Sequence, residues 1–352
     1  MDSEPSKEPV LVKVAECLYR NRSSGTYFAL VKRKGKQIRK SLKTKDRKLA
    51  ERRLREFRTK ASRLTADSAE RKTPFKILAK RWLTVHNSNL KASTAERYVR
   101  CVKELDKFFG EIPVSEITKR QCEDWMTQRA KGIAASTFNT DALVLKAVLD
   151  YAVRDGLILD NPANVIKRRR SKAKEIVIPT REEYEKLLEA IDQLDGRAGQ
   201  SKILVQLLAL SGMRLGEATR IEWREIDFKK EQFTVSGGEI GTKNGETRVV
   251  PLFPRLKLFL ENLRPVNSTD PRSPIITIES TKSALGSACK TAQLPHFTHH
   301  SLRHFFVSNA IEVGVDFKSI AAWIGHKDGG ILVAQTYGHL REAHSQQMAS
   351  LL

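Results

Sequence analysis

Cysteine is scarce. The four thiols in 352 residues, Cys17, Cys101, Cys122 and Cys289, are widely spaced and none forms a CxxC pair, so a disulfide scaffold is excluded and reduced thiols in a cytoplasm are expected. Long apolar runs are missing too. Nothing approaches the roughly 18 consecutive apolar residues of a membrane span, and residues 1–9 are acidic and polar where a signal peptide would be basic and then apolar. Neither export nor a membrane anchor is expected. Acidic residues are in short supply: 41 Asp and Glu stand against 63 Lys and Arg, a formal net charge of +22. Such an excess adds self-repulsion, so a polyanion is the expected partner, with an anionic membrane surface as the other candidate. Internal repeats and low-complexity stretches are absent. With 40% apolar residues the chain has enough for real cores, and at about 150 residues per domain its length fits two or three of them.

The positive charge is concentrated. Residues 31–63 hold 16 Lys or Arg against Asp46, Glu51 and Glu56. Thr26-Tyr27-Phe28-Ala29-Leu30-Val31 is rich in strand formers, Gly35 signals a turn, and residues 37–42 return as a second strand. Leu49, Arg53, Leu54 and Phe57 then recur at helical spacing within residues 44–63. A small β-β-helix module results, and Lys32, Arg33, Lys34, Lys36, Arg39, Lys40 and Lys43 give it a phosphate-tracking surface. A polar stretch, residues 65–72, separates it from four apolar-periodic segments at 74–85, 93–109, 118–130 and 136–155. Thr73-Pro74, Ser93-Thr94 and Ser136-Thr137 mark their starts. Asn161-Pro162 ends this all-α block, and Lys167-Arg168-Arg169-Arg170 with Lys172 and Lys174 forms a basic connector suited to wrapping over nucleic acid. The expected division is residues 1–64, 73–163 and 175–352, with 164–174 as the linker.

Unusual chemistry sits in the last segment. An apolar helix over 203–210 closes at Ser211-Gly212, and another opens with Arg214-Leu215-Gly216-Glu217. A cation in a first helical turn opposes the dipole, which makes sense if Arg214 faces an anion that the free amides also attract. Glu217, one turn on, is placed to orient it or a nearby imidazole. Residues 232–235 read as a strand. Residues 240–250 read as a hairpin about Asn244-Gly245, which sets Lys243 just before a tight turn. Thr298 caps a helix on which His300 and Arg303 share a face while Leu302, Phe305 and Phe306 point inward. His300 and His304 also have the spacing of two metal ligands, but no acidic base or Cys or carboxylate cluster accompanies them, so no metal is expected. Ile324-Gly325-His326 follows, and eleven residues later Tyr337 stands in Thr336-Tyr337-Gly338-His339.

Taken in order, Arg214, Lys243, His300-x-x-Arg303, Gly325-His326 and Tyr337 closely resemble the catalytic set of the tyrosine recombinases, the phage integrase family. The resemblance covers the third segment through Ser211-Gly212-Met213-Arg214-Leu215-Gly216-Glu217, His300-Ser301-Leu302-Arg303-His304 and Trp323-Ile324-Gly325-His326. It extends loosely to the helical block, similar to the family's core-site DNA-binding domain, and to the basic module, similar to arm-site-binding domains. It implies a multidomain, mainly α fold with small β-sheets, ending in a mixed α+β catalytic domain. It also implies a metal- and ATP-independent enzyme in which Tyr337 becomes a 3′-phosphotyrosine. Arg214 and Arg303 would clamp the phosphate, Lys243 would protonate the 5′-oxygen, His300 would act as acid/base near the tyrosine, and His326 would bond the phosphate. Glu217 would support them, and no cofactor is implied.

The implied partners are double-stranded DNA at core and arm sites, three further copies of the chain on paired sites, and a DNA-bending host factor, in the cytoplasm of a bacterial host at its nucleoid. Integration or excision of a phage or other mobile element is the first reading. A Xer-like resolvase or topoisomerase-like use of the same chemistry is the second, and a non-catalytic DNA-binding accessory the third. The Asp328-Gly329-Gly330 insertion makes the spacing from His326 to Tyr337 about two residues longer than the family's commonest, which suggests a flexible tyrosine loop. His296, His299, His304, His339 and His344 read as packing or surface residues. Residues 340–352 read as an amphipathic tail docking on a neighbouring copy or on its own domain.

Overall fold

In a computed structural model of the chain, the described residues are 10–33, 36–62, 64, 67, 69–88, 90–171, 176–194, 198–237, 247–264 and 270–337. The chain divides into two units, residues 1–173 and 174–352. The fold is mainly helical with two small antiparallel sheets, as expected from the sequence.

The first unit opens with a four-stranded sheet in the order β1 (Leu11–Ala15), β2 (Leu18–Asn21), β3 (Tyr27–Arg33) and β4 (Lys36–Ser41), backed by α1 (Arg47–Ser62). Period-2 alternation on β3 turns Tyr27, Ala29 and Val31 inward, where Ala50, Leu54, Phe57 and Ala61 of α1 cover them. The same alternation leaves Lys32 outside. Two strands, rather than four, are what the sequence suggests. The missed pair is short and half-exposed, and its turn has Cys17 at φ 60° where a glycine or asparagine would have signalled it.

Four helices follow: α2 (Phe75–Asn87), α3 (Ala92–Phe109), α4 (Lys119–Arg129) and α5 (Ala135–Arg154), within two residues of the expected spans. Thr118 and Gln121 close a capping box on α4, whereas Ser93-Thr94 and Ser136-Thr137 lie inside first turns whose N-cap residues are Lys91 and Ala134. Phe75, Leu105, Phe109, Trp125, Phe138 and Leu145 form their core, separate from that of the sheet. The two cores are tied at Asp160, which accepts from Lys40 Nζ at 2.8 Å and Lys60 Nζ at 3.2 Å.

The second unit packs α6 (Arg181–Asp192), α7 (Ala198–Ser211), α8 (Leu215–Ala218), α9 (Pro254–Leu263), α10 (Lys282–Thr291) and α11 (His299–Glu312) around the sheet β5 (Ile226–Asp227), β6 (Gln232–Val235) and β7 (Arg248–Pro251). Leu187, Leu204, Leu208, Phe233, Val250 and Leu302 are in its core. Phe233 pairs with Val250 across the antiparallel β6–β7 ladder, whereas the first strand of the expected hairpin, 240–243, lies outside the described residues. The Asn244-Gly245 turn and Lys243 lie outside the described residues. A second cluster joins α11 to α12 (Phe317–Ile324) and α13 (Ile331–Tyr337) through Phe306, Val307, Ile320, Ile324, Val333 and Tyr337.

The tyrosine segment differs from the expected loop. Tyr337 lies in a helix, because Asp328 accepts from the amides of Gly330 and Leu332 at 3.1 Å and starts α13, while Gly329 and Gly330 at φ 64° and 99° absorb the added length as a bend. The expected tail helix at 340–352, with His339 and His344, falls outside the described residues.

Candidate active site

The site grows from two glycine turns. Gly212, at φ 65°, ends α7, and a Cβ there would lie 2.4 Å from the Phe306 ring, so only glycine lets α11 approach this closely. Gly325, at φ 69°, ends α12 in the left-handed conformation and exposes that helix's last carbonyls.

Those carbonyls gather arginines from three segments. Arg248 Nε donates to the Trp323 carbonyl at 2.8 Å, Arg303 Nη2 to Ile324 at 2.7 Å, and Arg214 Nη2 to Gly325 at 3.1 Å. Three consecutive carbonyls thus anchor three guanidiniums, and the negative end of the α12 dipole favours each of them. Arg303 also donates through Nη1 to the Gly212 carbonyl at 2.7 Å. It is only 6% exposed. Burial, followed by the charge of Arg214, pushes its pKa down to about 9. It remains a cation at neutral pH, and a cation held under that much strain is stabilised by an incoming anion.

Glu217, 4% exposed, is the counter-ion. It accepts from the Arg214 amide at 3.0 Å and Nη1 at 2.9 Å, and from Arg248 Nη2 at 2.7 Å and Nη1 at 3.2 Å. Burial alone would raise its pKa, but the hydrogen bonds and charge of Arg248, with those of Arg214, hold it at about 2. Arg214 is the N-cap residue of α8, and this carboxylate closes the cap from the third helical position. The odd placement of a cation in the first turn is therefore answered within the chain as well as by any ligand.

His326 follows Gly325 directly. Its Nε2 lies 3.3 Å from Arg303 Nη2, and burial, then the charge of Arg303, lowers its pKa, so the ring is neutral and Nε2 accepts. Its proton then sits on Nδ1, a buried nitrogen without a hydrogen-bond partner among the described residues. A buried donor left open costs about 1–3 kcal/mol, which a ligand oxygen would recover.

Tyr337 is 4% exposed, and its hydroxyl meets His304 Nδ1. Burial, then the charges of His300, Arg303 and His326, pushes His304 down to about 4. The partner that the sequence names for this hydroxyl, His300, is instead exposed at the start of α11, with its ring 6.0 Å from that of His304. Sequence reasoning thus missed two residues. His304 reads as packing in the sequence, because its contact with Tyr337 spans 33 positions of chain. Arg248 carries no signal, since its role comes from the fold of β7 against α12.

The basic residues of the first unit are less uniform than their sequence. Lys32, Arg39, Lys43, Lys167, Arg168 and Arg170 are exposed. Arg39 lies over the Phe28 ring at 4.8 Å. Lys40 is engaged with Asp160, and Arg169 donates to the carbonyls of Ala130 and Ile133 at 3.0 and 3.3 Å, so both serve the unit's own structure. Arg33 and Lys36 face each other across the β3–β4 ladder, and Lys34 lies outside the described residues. Among the described residues no group of three or more His, Cys, Asp or Glu could hold a metal ion, and no helix is long and apolar enough to cross a membrane.

Residues 179–344 match the phage integrase family, and residues 75–128 match the phage integrase N-terminal SAM-like domain. Tyrosine recombinase XerC of Psychromonas ingrahamii is 25% identical over 283 residues, 74% of this chain and 86% of that protein. Tyrosine recombinase XerA of Pyrococcus horikoshii is 26% identical over 253 residues, 68% of this chain and 83% of its own length. Among solved structures, a lambda integrase dimer bound to a COC′ core site superposes with a TM-score of 0.64 at 18% identity, covering 95% of this chain and 96% of that one. The Tn1549 transposon integrase in complex with a circular intermediate DNA gives 0.61 at 18% identity, over 78% of this chain and 99% of its own. These structural likenesses establish the fold.

Proposed function

The chain belongs to the phage integrase family of tyrosine recombinases, and from that membership we propose that it is a site-specific DNA recombinase that inserts or excises a mobile element. Tyr337 attacks the phosphorus, a P–O bond to the phenol forms, and the bond to the 5′-oxygen breaks. The resulting 3′-phosphotyrosine keeps the phosphate's energy for rejoining, without ATP. The observation that carries this reading is the convergence of Arg214 and Arg303 on adjacent carbonyls beside His326.

Each arginine offers a planar, permanently charged fork matched to nonbridging phosphate oxygens, where lysine would be a point charge. His326 adds its open Nδ1–H. Charge developing on the phosphate is met by groups already in place, so little reorganisation is needed as the bond breaks. Glu217 holds Arg214. Lys243 is assigned to protonate the leaving 5′-oxygen and His300, whose ring lies 6.0 Å from the His304 ring that meets the hydroxyl, to acid/base work at the tyrosine once DNA is bound, both from the family resemblance.

Three working modules suit this activity: residues 1–64 on arm-type sites, 73–163 on the core site and 175–352 for catalysis, with the basic linker 164–174 between the last two. Four copies on paired sites and a host protein that bends the DNA complete the proposed assembly. The lambda integrase solved as a tetramer on a Holliday junction supports that stoichiometry by analogy. A Xer-like resolvase is the second reading, favoured by the similarity to XerC and XerA and opposed by the basic four-stranded module at the N-terminus.

The test is recovery of DNA attached covalently to the chain after denaturing lysis of cells carrying its native flanking DNA. Adducts at one or two sites, absent from Tyr337→Phe, are expected. Adducts scattered without sequence preference would favour a topoisomerase-like role, and an adduct surviving in Tyr337→Phe would remove the nucleophile assignment. With a 5′-bridging phosphorothioate, whose sulfur leaves without a proton, Lys243→Ala should recover much of its cleavage rate.

A further inference from the structure

We propose that Arg248, which belongs to none of the motifs above, is a positioning residue for the phosphate clamp and acts on Arg214 through Glu217. The inference rests on the reading of Arg214 as a phosphate ligand.

Arg248 is the first residue of β7, opposite Val235 in the ladder. Its side chain, 13% exposed, spends all three guanidinium nitrogens inside the protein: Nε on the Trp323 carbonyl, Nη1 and Nη2 on the two oxygens of Glu217. That is the bidentate fork of a strong arginine–carboxylate pair. With its nitrogens so committed, Arg248 is poorly suited to take substrate itself. Arg214, by contrast, contacts a single Glu217 oxygen through Nη1 and the Gly325 carbonyl through Nη2. Arg248 therefore fixes both anchors of Arg214, the carboxylate directly and the α12 terminus through the carbonyl two residues before Gly325.

Space points the same way. A Cβ at Gly325 would lie 3.0 Å from Arg248 Nη1 and 3.4 Å from Arg214 Nη1, so the two guanidiniums flank that glycine on the side where a side chain would stand. Two cations this close are tolerable only with the carboxylate between them. Charge also supports the arrangement, because Arg248 is the foremost partner holding Glu217 ionised against its burial. Without Arg248, Glu217 gains protons more readily and loses one side of its cradle, and Arg214 is left with a movable anchor.

The test compares Arg248→Met, Arg248→Lys, Glu217→Gln and the double variant Arg248→Met/Glu217→Gln in the full chain. One readout is single-turnover adduct formation on a duplex carrying the junction at which wild-type adducts are recovered, together with affinity for that duplex. The other is the side-chain nitrogen resonance of Arg214 in DNA-free protein, which reports whether its guanidinium is held or rotating. Arg248→Met should slow adduct formation about 100-fold with affinity within about twofold, as expected for loss of transition-state contacts alone. Arg248→Lys should recover part of the rate, since an ammonium can meet Glu217 but cannot also span to Trp323. The double variant should be no slower than the slower single one, and the Arg214 resonance should show faster rotation in Arg248→Met.

A wild-type rate in Arg248→Met, multiplied losses in the double variant, or an Arg214 resonance that does not change would each overturn the proposal. Should the wild-type chain form no Tyr337-dependent adduct, the functional reading falls, and the Arg214 resonance still decides whether Arg248 positions it.

Discussion

His304 presents its Nδ1 to the hydroxyl of Tyr337, so the nucleophile proposed here rests against a half-buried imidazole of α11 in its own unit. Burial and three neighbouring positive or titrating groups hold that ring neutral.

That contact predicts an acid sensitivity. The folded pKa of about 4 lies below the ordinary 6.5, so the unfolded chain binds the extra proton first as pH falls. Stability is complete above about pH 6.5 and declines toward pH 4, by up to about 3 kcal/mol from this residue. Urea unfolding at pH 7.5 and 5 should show a larger loss in wild type than in His304→Asn. Equal losses would remove His304 as the cause.

Glu217 should behave in the same sense, in a more acidic window. Its folded pKa of about 2 lies below the ordinary 4.5, so it contributes stability that is present above pH 4.5 and lost as pH falls through 2. Glu217→Gln leaves two buried guanidiniums without their shared anion. A loss of about 3–5 kcal/mol at pH 7 is expected in urea unfolding, with a flatter acid profile than wild type below pH 4.5.

Gly212→Ala combines a strained φ with a collision against Phe306. It should cost about 2–4 kcal/mol, and it should slow cleavage because the Gly212 carbonyl carries Arg303. Adding Phe306→Leu should return the part of the stability owed to the collision and leave the part owed to φ. A single variant that melts like wild type would show that α11 can retreat without penalty.

On the first unit, the slope of log affinity against log salt should fall by about 1 for each phosphate contact removed. Lys32→Ala and Arg39→Ala are expected to lower it, and Lys40→Ala to lower it less, since Lys40 is already engaged with Asp160. Deleting residues 1–72 should flatten it most. A slope unaffected by that deletion would assign the module to a protein partner.

The helices α2 to α5 are legible because their apolar residues recur at three and four, and each begins within two residues of the expected start, whereas α6, α9 and α10 of the second unit are not anticipated from the sequence. Glu217 was legible for a related reason, its spacing of three from Arg214. Arg248 and His304 were not, because their importance comes from contacts across 31 and 33 positions of chain. The strands β1 and β2 are not legible because they are short and half-exposed, and such segments carry little alternation. Arg169 shows the converse failure. A run of four basic residues reads as uniform, yet one of them folds back on the carbonyls that end α4.

The described part of α13, residues 331–337, packs on the rest of the second unit through few side chains. Its cohesion is borrowed from the two side chains it buries, Val333 and Tyr337. If Tyr337 leaves its niche for phosphorus, as proposed above, half of that loan is withdrawn, so attack and local melting would become one event. Amide exchange in residues 331–337 should then quicken in the covalent adduct while α11 stays protected, and the nucleophile's travel would be set by fraying of this one segment rather than by motion of the whole unit.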